Sequence, residues 1–326
     1  MKPILPSVLF LAFLLSPIIG AGRPDNADSR KPVRVAALAG PSGLSMARFF
    51  CEPPRIGTHS FDFQTAGSVD ILVPKLITGD VDIGILPVNV AAKLYTTNPK
   101  TIIIGAVTGT GMLSLVTRDK TISQISDLKG KRVYVAGQGS TPEYVLRSLI
   151  AAPGNQAKSV ILDFSLPTIE IATALAADRI SYALIPEPFT TLALKNSSKK
   201  NPLFRAINLS KVWKFSGYGD DFPMTVCVIR SSFAKKNPAL VREFLEAYRE
   251  TIFWTIQNPD KAAQCAEQAN LGLLASVAEA AIPHCGFTFL SAEDAKPLIE
   301  SLLSVFLDYA PSSIGGSLPD DGFYFK

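Results

Sequence analysis

Apolar positions along this chain fall into short unbroken blocks, and between the blocks they recur at helical spacing. Blocks without polar alternation predict strands buried on both faces, and helices between them predict sheets covered on both sides. The pattern predicts strands at 33–38, near 59–63, at 82–86 and at 101–107, with helices near 44–52, 68–78 and 88–96. Residues 112–117 predict a strand that leaves this set. The pattern then restarts with a strand at 133–136, a helix at 142–151, a strand near 159–164, a helix at 168–177 and a strand at 181–185. Residues 222–230 predict a second crossing strand, followed by helices near 238–257, 259–268, 275–281 and 292–308. These last helices have no strands of their own, so they are expected to return over the first lobe.

One pattern is written twice. Leu76-Ile77-Thr78-Gly79-Asp80-Val81-Asp82-Ile83-Gly84-Ile85-Leu86-Pro87 runs parallel to Leu175-Ala176-Ala177-Asp178-Arg179-Ile180-Ser181-Tyr182-Ala183-Leu184-Ile185-Pro186. Upstream of each lies a strand, a glycine-rich turn and a helix, through Gly40-Pro41-Ser42-Gly43 in one copy and Gly137-Gln138-Gly139-Ser140-Thr141 in the other. Two α/β modules built alike predict two lobes, each a mixed, mostly parallel sheet with flanking helices. Lobe 1 is expected to be discontinuous, 31–112 plus 225–326, and lobe 2 to span 113–224. The crossing strands 113–117 and 224–229 would serve as hinge. Such lobes aim loops and helix N-termini at whatever is held between them.

At 326 residues and 47% hydrophobic content the chain can fill a core for each lobe. Its net charge of +4 is spread without a basic stripe, which excludes non-specific nucleic-acid binding as a reading. Met1-Lys2, an apolar stretch over 4–19 and Gly20-Ala21-Gly22 spell a signal peptide over residues 1–22, cleaved after Ala21 or Gly22. Prolines 3, 6 and 17 and the short apolar run argue against a membrane anchor there. The mature protein is therefore expected to be soluble, monomeric and periplasmic or extracytoplasmic.

Four cysteines allow three pairings. Cys265 and Cys285, near in sequence, are the candidate disulfide, while Cys51 and Cys227 sit in apolar surroundings that suit buried thiols. Neither CxxC nor Cys/His spacing occurs, so no metal site and no cofactor are expected. The two histidines, His59 in a strand and His284 after Pro283, fall outside the expected cleft loops. GxSxG, HExxH and P-loop motifs are missing from the sequence, so an enzyme is not the expected function.

Three stretches in the C-terminal half resemble a known group. Ser232-Phe233-Ala234-Lys235-Lys236-Asn237-Pro238, Phe244-Leu245-Glu246-Ala247-Tyr248 and Asn258-Pro259-Asp260-Lys261-Ala262-Ala263 are similar to the C-terminal helices of solute-binding proteins of ABC importers. Residues 137–146, Pro186-Glu187-Pro188-Phe189 and the tail Ser313-Ile314-Gly315-Gly316-Ser317-Leu318-Pro319-Asp320-Asp321 resemble the sulfonate/nitrate/taurine-type, or NMT1/THI5-like, branch. The likeness covers essentially the whole mature chain. It implies a type II periplasmic-binding-protein fold with two crossover strands that closes on a small molecule and presents it to the transmembrane subunits of an ABC permease. Sulfonates, nitrate-like oxyanions and pyrimidine- or thiamine-type heterocycles are all ligands of this branch. Same-fold enzymes of thiamine-pyrimidine and menaquinone biosynthesis are the alternative. The first group resembles a cysteine-rich site with a cofactor-bearing lysine and a histidine, which this sequence does not show.

In a doubly wound lobe the ligand sits at the carboxyl ends of the strands. Gly40, Pro41, Ser42 and Gly43 in one lobe and Gln138, Ser140 and Thr141 in the other belong there, as turns rich in backbone donors. Gly67 and Ser68 open another helix. Pro87 and Pro186 end equivalent strands and so send Asn89 and Glu187 toward the cleft. Glu187 is read as a ligand or lobe-closing contact, with capping of the helix after it as the alternative. Thr108 and Gly109 would line the cleft floor. Of the nearby aromatics, Tyr218 is expected to be free to stack on a planar ligand, with Phe189, Tyr144 and Trp213 in packing roles.

Overall fold

A computed structural model describes residues 31–153, 155, 157 and 159–326. The expected signal peptide lies outside the described residues. The chain begins with β1 (Val33–Leu38), α1 (Pro41–Ser45), α2 (Ala47–Cys51), β2 (Phe61–Ala66), α3 (Val69–Thr78), β3 (Ile83–Pro87), α4 (Val88–Thr97) and β4 (Ile102–Thr110). A second set follows: β5 (Leu113–Thr117), β6 (Arg132–Val135), α5 (Thr141–Ala151), β7 (Ile161–Asp163), α6 (Thr168–Ala176), β8 (Tyr182–Pro186), α7 (Phe189–Lys195), β9 (Phe204–Asn208) and α8 (Leu209–Phe215). The chain then returns through β10 (Pro223–Arg230), α9 (Ser231–Lys236), α10 (Pro238–Gln257), α11 (Pro259–Gln268), α12 (Ala275–Ala281), β11 (Phe287–Ser291) and α13 (Ala292–Tyr309).

Two mixed sheets result, a six-stranded one in the order β11-β4-β10-β3-β1-β2 and a five-stranded one in the order β7-β6-β8-β5-β9. Pairing is parallel across β2-β1-β3 and β7-β6-β8. It turns antiparallel where a crossing strand enters, at β10 in the first sheet and β5 in the second. β10 is buried from Pro223 to Ile229, as its unbroken apolar run requires of a strand covered on both faces. The residues that pass between sheets lie outside the strands, at Gly111-Met112 and over 216–222. Met112 holds φ 54 and Gly111 φ 58, and a side chain at Gly111 would meet Ser210 and Asp221. The two crossings are tied to each other, Gly111 N donating to Phe222 O at 3.0 Å.

The written repeat is a structural one. α3 ends in Gly79 at φ 83, and the turn after α6 uses Asp178 at φ 60. Both turns close with the same backbone bond, Asp80 N to Lys75 O at 2.8 Å and Arg179 N to Ala174 O at 2.9 Å. A left-handed residue after a helix satisfies its last carbonyls, and Gly and Asp tolerate that conformation best.

Several elements depart from the sequence reading. The helix expected near 44–52 breaks at Met46 into α1 and α2. The C-terminal segment does carry a strand, β11, which adds antiparallel to β4 at the sheet edge. α7 is the helix expected after Glu187, and β9 and α8 fill a stretch for which no element was expected. Cys265 pairs with Cys51 (Cα–Cα 5.6 Å), not with Cys285, because α11 packs its Ala262/Cys265/Ala266 face against α2. Cys51 is thus bonded at an exposed helix end, while Cys285 and Cys227 are the buried free thiols, their pKa raised by burial.

The disulfide closes a loop between positions 214 residues apart. Reducing it is expected to lower stability by about 2–4 kcal/mol, measured by urea denaturation with and without dithiothreitol. Cys265→Ala should abolish the reductant effect, and Cys285→Ala should leave it intact.

Candidate functional site

The parallel strands of both sheets end on a common cleft of about 930 Å³. Its walls are the turns that follow β1, β2 and β3 in one lobe and β6, β7 and β8 in the other, with Met224 and Thr225 of β10 beside them. Helices α3, α4, α5 and α6 begin there, the expected consequence of a strand–turn–helix unit used on both sides. Leu38, Val73, Val90, Leu94, Phe164, Leu166 and Phe189 make much of the surface apolar. Among the described residues, Asp70 in the first turn of α3 and Lys93 on α4 are the charged ones that line it.

Eight of the expected residues meet here: Pro41, Ser42, Gly67, Ser68, Asn89, Gln138, Ser140 and Thr141. Ser42 is buried, and its hydroxyl has no hydrogen-bond partner among the described residues. The turn at 137–141 is less open to a ligand than its composition promised. Ser140 Oγ donates back to Gly137 O at 2.6 Å, and Gly139 N donates to Glu143 Oε2 at 2.7 Å. Glu143 also pairs with Arg147 at 2.7 Å, so a carboxylate already occupies the first turn of α5. Asn89, 1% exposed, reaches across the cleft: its Nδ2 donates to Gly139 O at 2.9 Å and its Oδ1 accepts from Thr141 Oγ1 at 3.1 Å.

Six expected residues fall elsewhere. Gly40 touches the cleft only through Phe189, whose ring would collide with any side chain there, and Gly43 faces Leu38 O and Leu271. Thr108 is buried behind β10, its hydroxyl 3.0 Å from that of Thr225, and Gly109 backs the same residue. Thr225, not Thr108, therefore presents the floor. Tyr218 lies against Trp213 with centroids 4.9 Å apart and meets the Tyr309 hydroxyl at 3.3 Å, on α13 rather than in the cleft. Burial and that hydroxyl contact push its pKa above the ordinary tyrosine value.

Glu187 is the sixth. Its carboxylate is 2% exposed and turned into the second lobe, where Oε1 accepts from Arg205 Nε at 3.1 Å and Nη2 at 2.5 Å. Oε2 accepts from Thr191 N at 3.0 Å, a bond within the first turn of α7. The carboxylate is consumed by an ion pair and a cap, which corrects its reading as a ligand contact.

Other residues of the cleft escaped the sequence reading although signals existed. Lys93 lies one helical turn beyond Asn89 and so on the same face. The turn over 164–168 occupies in the second module the place that Gly67-Ser68 holds in the first. Phe189 lines the cleft in the position denied to Tyr218.

The sequence model of the family described as NMT1/THI5 like matches residues 64–262. The chain belongs to the NMT1/THI5-like family. No curated protein matches it in sequence. Among solved structures it is similar to an ABC transporter protein from Parabacteroides distasonis, with TM-score 0.74, 26% identity, and coverage of 90% of this chain and 99% of that one. It shares its fold with the periplasmic aliphatic sulphonate binding protein SsuA from Escherichia coli, at TM-score 0.68 and 15% identity over 86% of this chain and 93% of that one. The periplasmic nitrate-binding protein NrtA from Synechocystis PCC 6803 gives TM-score 0.61 and 12% identity over 87% and 83%. The two mixed sheets of this family member thus form the two-lobed fold of type II periplasmic binding proteins.

Glu187→Gln is expected to lower unfolding free energy by about 1.5–3 kcal/mol, the worth of a hydrogen bond to a charged group, with the exposed part of Arg205 limiting the loss. Chemical denaturation of the variant checks this. The size of the loss distinguishes a structural carboxylate from an exposed cleft carboxylate, whose removal would leave stability unchanged.

Proposed function

We propose that this protein is the extracytoplasmic solute-binding component of an ABC importer. As a monomer it would close two lobes, 31–112 plus 225–326 and 113–224, on a small organic molecule and deliver it to the transmembrane subunits of a permease. The observation that carries the reading is the shared cleft, walled by strand-end turns of both lobes and large enough for a drug-sized molecule. Family membership and the likeness to the Parabacteroides distasonis protein support it. Export is supported by the signal-peptide pattern read over residues 1–22, and no described helix is long and apolar enough to cross a membrane.

The lining favours a ligand with an apolar, uncharged or internally balanced body over a small oxyanion. Nitrate would leave most of the cleft empty. Three of the four helix N-termini named at the cleft have carboxylates in their first turns, Asp70 in α3, Glu143 in α5 and Glu170 in α6, which offset the local field, while α4 has none. Among the described residues, no arginine lines the cleft to grip a sulfonate in two places. A binding role is supported by the lining itself, which among the described residues is apolar side chains, strand-end turns and a few hydroxyl and amide groups. Ser42, Ser68, Gln138 and Thr225 are proposed as the polar contacts, with Pro41, Gly67, Ser140 and Thr141 shaping the wall beside them and Phe189 as the aromatic face.

Thermal denaturation in the presence of alkylsulfonates, nitrate, pyrimidines, thiamine and riboflavin tests both statements. A true ligand at a hundred times its dissociation constant should add about 2.7 kcal/mol of stability. The expected responder is a heterocycle. A response to nitrate or a short sulfonate alone would overturn the ligand class, and silence from every arm would count against the binding role.

A further inference from the structure

We propose that Asn89 is the latch that holds the two lobes together, and that the protein closes on it without any ligand. Asn89 sits in the first turn of α4 in the first lobe, yet its amide is satisfied by the second. Nδ2 donates to Gly139 O at 2.9 Å, with Ser313 O at 3.5 Å as a second, longer acceptor, and Oδ1 accepts from Thr141 Oγ1 at 3.1 Å. Asn89 is 1% exposed and Thr141 fully buried, so these bonds form out of water, where an unmet partner is costly.

The arrangement reads both ends of the amide at once. A carbonyl is presented to its nitrogen and a hydroxyl to its oxygen; a carboxylate of the same size meets only the hydroxyl, and an apolar side chain meets neither. Away from the two crossings, where Gly111 N bonds Phe222 O and Glu187 N bonds Met112 O, the lobes touch through packing and exposed groups such as Tyr144 on Phe306 at 5.5 Å, the Tyr218–Tyr309 hydroxyls, and Lys195 Nζ on Ser276 O at 2.6 Å. Among the described residues, Asn89 alone bonds across the wall of the cleft itself. Opening the lobes exchanges its bonds for water, and closing them restores both.

This makes Asn89 a positioning residue. Its bonds set the fraction of molecules already closed, and a binding-competent state that is populated beforehand raises apparent affinity in proportion. The consequence for ligand retention rests on the binding-protein reading above, whereas the latch does not.

The test uses purified protein with no ligand and no permease. Asn89→Asp keeps size and shape but turns an oxygen toward Gly139 O. Losing that bond and adding the repulsion should lower the closed-to-open ratio about tenfold, equal to about 1.4 kcal/mol. In solution scattering, wild type should fit the closed structure, while Asn89→Asp should show a larger radius of gyration and a broadened distance distribution. Thr141→Val, which removes only the hydroxyl, should shift the profile in the same direction by less. Cooperative melting of each variant confirms that it is folded, and Thr141→Val carries the test if Asn89→Asp is not. Superimposable profiles of wild type and a folded variant, or a wild type that is already open, would overturn the proposal. A failed ligand screen with an intact latch would instead count against the transport reading alone.

Discussion

The structure depends on one strand being admitted late. β10 lies between β3 and β4 in the middle of the first sheet, bonded to both, although the whole second lobe separates it from them in sequence. Its side chains from Pro223 to Ile229 are buried on both faces, so neither face of the first sheet is complete without it. Such a non-local pairing delays the gain from burial until the loop is closed. The first sheet is therefore complete only once the chain has returned from the second lobe. The same strand fixes where the lobes join, since Pro223 follows the second crossing and pairs with Thr110, next to the first.

A consequence is that the two modules face each other. Each runs strand, turn, helix with the same left-handed turn between α3 and β3 and between α6 and β8, and the two crossings bring their carboxyl edges onto one cleft. Similar backbones do not carry similar chemistry. In the first module Asp82 binds Arg34 and Arg230, fixing the start of β3 against the end of β10. In the second, Ser181 stands in that place and offers only its carbonyl to Thr117. The stabilising charges move instead to Glu187 and Arg205, at the other end of β8.

That relocation explains what could be read from sequence. Strands buried on both faces were legible, because an unbroken apolar block needs no partner to be recognised. The Gly-Ser turns were legible because topology alone assigns them to the cleft. β9 was not, since its Phe204-Arg205-Ala206-Ile207-Asn208 mixes apolar and polar positions at a sheet edge, and its loss had a cost. Without β9 there is no Arg205 beside Glu187, and an unpaired glutamate between two prolines looks like a ligand contact. Tyr218 failed for a parallel reason: α13, from a distant part of the chain, covers it. β11 hid because only a sheet edge needing one more strand distinguishes it from a loop between helices. In each case the residue was visible and its partner was not.

The C-terminal tail shows how far such partners reach into the cleft. It returns to α4 and the first sheet, with Thr96 Oγ1 donating to Ile314 O at 2.8 Å, Tyr95 OH to Asp320 Oδ1 at 2.5 Å, and Phe325 N to Ile104 O at 2.8 Å. Gly315 lies so close to Thr96 that no side chain fits there, and its φ of 84 suits glycine. α4 is thereby held along its length by residues more than two hundred positions away. The helix that carries Asn89 and Lys93 is short, ten residues, and opens without a side-chain cap, so its own propensity fixes little. Rigidity at the cleft comes from the tail and the sheet beneath it, and this lets a single amide at the start of α4 meet two groups of the opposite lobe at hydrogen-bond distance.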